Sequence, residues 1–241
     1  MPRGAVIRLA ATPDALAQAA ASEVLDVYSP EPTMQFPGVD ALLASLPFDG
    51  WPFVHVWFGD ERTVAPDHAD SNYRMARETL LSLVPVPESQ VHRMAGEQEP
   101  AAAAADYDAD LRALAARQER AAPAFDVLLL GMGADAHTAS LFPGSPLFND
   151  RSATPAACAA AVHVPALDTW RLTITPATIR EARTVLVLVA GSDKHPALAR
   201  VLGSAPSLQE APVTLVHDLA GDVAWFVDRA ALFGEPSLSR S

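Results

Sequence analysis

The chain has 241 residues and a formal charge of −12 at pH 7, from 17 Lys plus Arg against 29 Asp plus Glu. It lacks the clustered cations that hold a phosphate backbone, and no window reaches the 18 or so uninterrupted apolar residues of a membrane span, so neither a nucleic-acid nor a membrane partner is expected. The single cysteine, Cys158, can form neither an internal disulfide nor a Cys-based zinc site and reads as a small apolar residue.

The N-terminal stretch MPRGAVIRLAATPDALA meets Asp14 before a signal-like apolar run can form, so a cytoplasmic protein is expected. Thr12 and Pro13 predict the start of a helix that runs to about Val27. VHVWF at 54–58 reads as a strand, and the run Gly59-Asp60-Glu61-Arg62 follows it directly. Three consecutive charges straight after a buried strand read either as a solvated loop or as acid–base groups beside an anion-binding arginine. Helices are predicted over 71–83 and from Pro100 to about Arg120; the AAAAA run at 101–105 belongs to the second, since Tyr107, Leu111 and Leu114 continue its apolar stripe.

FDVLLL at 125–130 and VLVLVA at 185–190 are apolar at nearly every position, as strands covered on both faces are. RLTIT at 171–175 alternates, which predicts an edge or antiparallel strand. Thr175 is the expected cap of a helix over 176–183, a further helix is expected over 196–202, and VTLV at 213–216 reads as a strand. Strands alternating with helices predict an open, mostly parallel α/β sheet in three layers. No linker divides the chain, so residues 1–233 are expected to form one domain and 234–241 a flexible tail.

In such sheets ligands bind beyond the carboxyl ends of the strands. The richest of these positions is Gly131-Met132-Gly133-Ala134-Asp135-Ala136-His137. Its glycines allow close backbone approach, and freed N–H groups in such a turn can face an anion or oxyanion. A histidine, with an ordinary pKa of about 6.5, can take a proton from water near neutral pH and return it to a leaving group. Asp135 is close enough to orient the His137 ring. Gly131, Gly133 and Ala136 also satisfy a dinucleotide-binding pattern, but a Pro-rich stretch follows instead of the required helix and second strand. Gly191-Ser192-Asp193-Lys194 lies after the 185–190 strand, and Lys194 is the only lysine beside 16 arginines.

GDERTVAPDHADSNYRMARETLL and FDVLLLGMGADAHTASLFPGS resemble the two signature regions of the 6-phosphogluconolactonases, and RLTITPATIREARTVLVLVAGSDKHPAL is similar to that family's third region. The related aminosugar-phosphate isomerases and deaminases resemble the chain less, because they place an aromatic residue where Arg62 stands. The resemblance implies a NagB-like fold, no metal, no cofactor, and opening of a phosphorylated sugar lactone. It further implies that His137 activates water, with Asp135 and Asp60 completing the catalytic group. The Gly131 to Gly133 backbone would stabilise the oxyanion, Arg62, Arg171 and Lys194 would hold the phosphate, and Asn72 would shape the pocket. A monomer and a homodimer both remain open.

Two positions depart from the family pattern. Its strand and Gly-Gly-Ser/Thr-x-Pro phosphate loop ahead of the DER run are expected to be missing, since YSPEPTMQFPGVDALLASL carries a single glycine, Gly38. That predicts weaker phosphate binding, a shifted substrate or a silent sugar-phosphate-binding homologue. Ala136 replaces the family's glycine before the histidine, which strains the turn if that position needs φ > 0.

Overall fold

A computed structural model describes residues 6–26, 32–33, 48–149, 157–204 and 206–234. Strand β1 (Val6–Ala10) leads into helix α1 (Pro13–Asp26), whose start is held by the Thr12 hydroxyl accepting from the Ala15 N–H at 3.2 Å. There follow β2 (Pro32–Thr33), β3 (Val56–Trp57), β4 (Asp60–Arg62), α2 (Asn72–Ala76) and β5 (Val91–His92). Helix α3 (Pro100–Arg117), β6 (Val127–Gly131), β7 (Ala159–Val164), β8 (Thr169–Ile174), α4 (Pro176–Arg180), β9 (Thr184–Val189), α5 (His195–Ser204), β10 (Asp222–Asp228) and α6 (Arg229–Phe233) complete the order.

Seven strands form a parallel sheet in the order β1-β10-β9-β6-β2-β3-β5. Helices flank it, and it is the α/β architecture expected. The wholly apolar runs of β6 and β9 lie in its interior, with Leu128, Leu130, Val185 and Val187 fully buried. Helix α1 packs on β1, β9 and β10. A second, antiparallel sheet has the order β4-β8-β7, packed against α3. RLTIT is therefore antiparallel, as its alternation predicted. Cys158 is free and buried, and no helix among the described residues is long and apolar enough to cross a membrane.

Several expectations need correction. VTLV is not a strand: residues Pro212–Asp218 form a buried 3-10 helix, with Pro212 in its first turn and the Val213 N–H donating to Ala136 O at 3.0 Å. Four apolar residues in a row report burial on all sides, which a packed 3-10 turn satisfies as well as a central strand does. The strand at this end of the chain is β10.

The charged DER run is a strand, not a solvated loop, and β7 is an element for which no strand was expected. The helix expected at 71–83 changes after Ala76 into a π-helical turn, Arg77–Leu81. Thr175 does not cap α4 with its side chain; its hydroxyl donates to Ala157 O at 2.5 Å. Nor is the strand ahead of DER missing: Pro32–Thr33 fills the slot between β6 and β3, with Thr33 in register with both Leu128 and Trp57. The stretch 34–47 that follows it, and the tail 235–241, lie outside the described residues.

Candidate active site

Parallel pairing brings the ends of β6 and β9 to one rim, since Gly131 is in register with Leu188. The loop after β6 is closed by its own backbone: the Gly133 N–H donates to His137 O at 2.9 Å, and the Ala136 N–H to Gly133 O at 2.9 Å. Two consequences follow. His137 sits in a tight turn rather than at a helix start, so no helix N-terminus faces outward as a dinucleotide fingerprint requires. The Gly133 N–H is also already committed, which removes it as the oxyanion donor that the family resemblance implied.

The turn holds a histidine–carboxylate dyad. Asp135 Oδ1 lies 2.6 Å from His137 Nδ1 and accepts the His137 backbone N–H at 3.0 Å. A carboxylate only accepts, so Nδ1 carries the proton, which in the neutral ring leaves the lone pair on Nε2. Burial pushes the Asp135 carboxyl up, but the hydrogen bonds from the His137 ring and backbone outweigh it and hold the group below its ordinary value. The ring packs on Phe142, with centroids 4.3 Å apart, and its side chain stays 32% exposed. It also lies against Gly133, where an added Cβ would come within 2.1 Å of Nδ1. Gly133 is thus needed for close approach.

Ala136 does adopt φ +70 and is fully buried, and Ala139 has φ +46. The glycine-favouring conformation is therefore kept at Ala136, at a strain of roughly 1–3 kcal/mol for each such residue.

Strands β4 and β8 supply the cations. Arg62 and Arg171 are cross-strand partners, so two guanidiniums sit side by side. Burial first, then the Arg62 charge, pulls Arg171 below the ordinary arginine value, while Asp60, Asp70 and Glu61 oppose the shift. Arg62 Nη1 donates to Asp70 O at 2.5 Å. Asp60 and Thr173 form the register pair two residues away. Asp60 accepts from Asn72 Nδ2 at 3.1 Å through Oδ1 and from the Ser140 hydroxyl at 2.7 Å through Oδ2. Asn72 is thereby spent on Asp60 through its amide nitrogen. Lys194 follows β9 on the same rim and pairs with its neighbour Asp193 at 2.8 Å.

The sequence reading missed three roles. Glu61, 2% exposed, is a cap for α2: it accepts from the Ser71 hydroxyl at 3.1 Å and from the Asn72 and Tyr73 N–H groups at 2.8 Å each. Ser140 and Thr173 bind one another, the Ser140 N–H donating to Thr173 Oγ1 at 3.2 Å. The ASL and LTI contexts of these two residues give no local sign of that contact. Among the described residues, no group of three or more His, Cys, Asp or Glu side chains is placed to hold a metal ion.

The Asp135–His137 dyad follows β6 at the carboxyl rim of an open parallel sheet, and Ser140 ties its loop to the antiparallel strands that carry Arg62 and Arg171. The chain belongs to the glucosamine-6-phosphate isomerase/6-phosphogluconolactonase family, which matches residues 38–225. It is 38% identical over 183 residues to the 6-phosphogluconolactonase of Nostoc sp. (strain PCC 7120), covering 75% of this chain and 73% of that protein. It is 40% identical over 174 residues to the 6-phosphogluconolactonase of Homo sapiens, covering 72% and 65% respectively. The solved 6-phosphogluconolactonase from Trypanosoma brucei superposes with a TM-score of 0.78 at 26% identity, over 96% of this chain and 98% of that one.

Proposed function

We propose that this protein hydrolyses 6-phospho-D-glucono-1,5-lactone to 6-phosphogluconate, as a carboxylic ester hydrolase of the pentose phosphate pathway. The observation that carries the reading is the Asp135–His137 dyad, whose geometry leaves Nε2 free of the internal hydrogen bond. In this reading Nε2 removes a proton from water as the water oxygen attacks the lactone carbonyl. The same nitrogen then delivers that proton to the ring oxygen as the ester bond breaks. Asp135 stabilises the imidazolium formed between the two steps.

Arg62 and Arg171 hold the phosphate, whose negative charge relieves the repulsion between neighbouring guanidiniums. Lys194 joins them by exchanging Asp193 for the ligand. Asp60 and Asn72 shape the floor beside them. An assembled dyad supports a catalytic reading over a silent sugar-phosphate-binding one.

The test is lactone hydrolysis at mildly acidic pH, where the spontaneous reaction is slow enough to subtract. Wild type should exceed buffer, and His137→Ala should lose about 10²- to 10⁴-fold in kcat. Equal rates for wild type, His137→Ala and buffer would end the proposal. Thermal stabilisation by millimolar 6-phosphogluconate should accompany activity and weaken in Arg171→Ala.

A further inference from the structure

The loop bearing His137 and the strands bearing the guanidiniums come from distant stretches of chain, and one residue ties them together. Ser140 is 2% exposed; it donates its hydroxyl to Asp60 on β4 and its N–H to Thr173 on β8. These two acceptors are register partners, and so are Arg62 and Arg171 two residues further along. With the period of two in a strand, Asp60 and Arg62 lie on one face of β4, as Thr173 and Arg171 do on β8. Ser140 is therefore bonded to the strand positions next to the paired arginines, three residues after His137.

The loop needs such an anchor. Ala136 and Ala139, which flank His137 and Thr138, are both held at positive φ, a conformation that persists in non-glycine residues only when the surroundings over-determine it. The Val213 N–H donating to Ala136 O fixes the loop at one end, and the Ser140 contacts fix it at the other.

We propose that Ser140 is a positioning residue for the reaction: its hydroxyl and amide lock the His137 loop to the β4·β8 pair, setting the distance between the base and the arginine-held end of the substrate. This rests on the lactonase reading above. Asp60 acts in it as the buried acceptor of the lock, and the proton transfers stay with His137. Without the Ser140 hydroxyl, Asp60 Oδ2 loses this donor and the strained loop can relax away from the strands.

The experiment measures kcat and KM for 6-phosphogluconolactone, the inhibition constant of 6-phosphogluconate and thermal stability in wild type, His137→Ala, Ser140→Ala, Ser140→Thr and Thr173→Val. Ser140→Ala is expected to lower kcat about 10- to 100-fold, the effect of a misplacement near 1 Å, with KM and the inhibition constant little changed. Ser140→Thr, which keeps the hydroxyl, should recover most of the rate. Thr173→Val, close in shape but unable to accept from the Ser140 N–H, should show a smaller loss of the same kind.

A wild-type kcat in Ser140→Ala overturns the proposal. So does a rate that falls only in step with the folded fraction, or a defect confined to KM. If Ser140→Ala does not fold, Thr173→Val decides on the same criteria. A wild type that hydrolyses lactone, with His137→Ala inactive and Ser140→Ala unimpaired, defeats the lock alone; a wild type no faster than buffer defeats both readings.

Discussion

At His137 the chemistry depends on what surrounds the ring more than on the ring itself. Asp135 sets which nitrogen carries the proton, and Gly133 provides the surface on which the ring lies. Gly133→Ala places a methyl group within 2.1 Å of Nδ1, so the imidazole must swing off Asp135. We expect a fall in kcat of about 100-fold while circular dichroism shows a folded protein, and a variant with wild-type kcat would rule out this packing role. In the proposed reaction Arg171 acts on the other end of the substrate. A charged hydrogen bond is worth about 1.5–3 kcal/mol, so Arg171→Ala should raise KM roughly 10- to 100-fold with kcat little changed, the pattern of a contact made equally in ground and transition states. Steady-state kinetics separate the two outcomes. Both residues stand out in the sequence, one inside a glycine-rich turn after an apolar run and the other opening an alternating strand. The Gly133 contact does not stand out, because it depends on how the turn closes.

Among the elements, β4 has least in its own sequence to identify it. Asp-Glu-Arg carries no strand propensity to speak of, yet it pairs with β8, with Asp60 bonded to Asn72 and Ser140, Glu61 to Ser71, Asn72 and Tyr73, and Arg62 to Asp70. Glu61 turns inward to cap α2, and Asp60 and Arg62 take the site face. Glu61→Ala would leave the Asn72 and Tyr73 N–H groups and the Ser71 hydroxyl without this acceptor. The expected loss is about 2–3 kcal/mol, or roughly 5–10 °C in Tm for a domain of this size, measurable by calorimetry or denaturant midpoint. A Tm within 1–2 °C of wild type would show that water replaces the carboxylate. VTLV gives the opposite lesson. Its uniform apolarity signals burial correctly but says nothing of period, and a proline at its start together with a bond to Ala136 draws it into a 3-10 turn.

At the scale of the whole molecule, the acid side of the stability curve has an identifiable source at the sheet edge. His55 Nδ1 and His92 Nε2 lie 3.0 Å apart, and the His92 ring stacks on Trp57 at 3.8 Å. Burial, then His55 and Arg117, pushes the His92 pKa down to about 4, and burial followed by Arg117 lowers that of His55. At His92 the unfolded chain therefore binds a proton below about pH 6.5 that the folded chain refuses until near pH 4. Stability is full above that window and falls as the pH drops through it. His92→Phe, which preserves the stack, should flatten Tm between pH 6.5 and 4 relative to wild type; an unchanged slope would place the acid sensitivity elsewhere.

What the sequence by itself determined is the architecture and the residues proposed as reacting groups. Runs such as those at 127–130 and 185–189 demand burial on both faces, and glycines and a histidine placed just past the end of the first run mark a candidate ligand rim, both being local patterns that survive folding. Only the tertiary structure decided who bonds to whom. It paired Ser140 with Asp60 across 80 residues, made a helix cap of Glu61, spent the Gly133 amide, filled the strand slot at Pro32–Thr33 and turned VTLV into a 3-10 helix. Hydrophobic period reports which side of an element is buried. A hydrogen-bond partner brought in by another strand leaves no trace in that period.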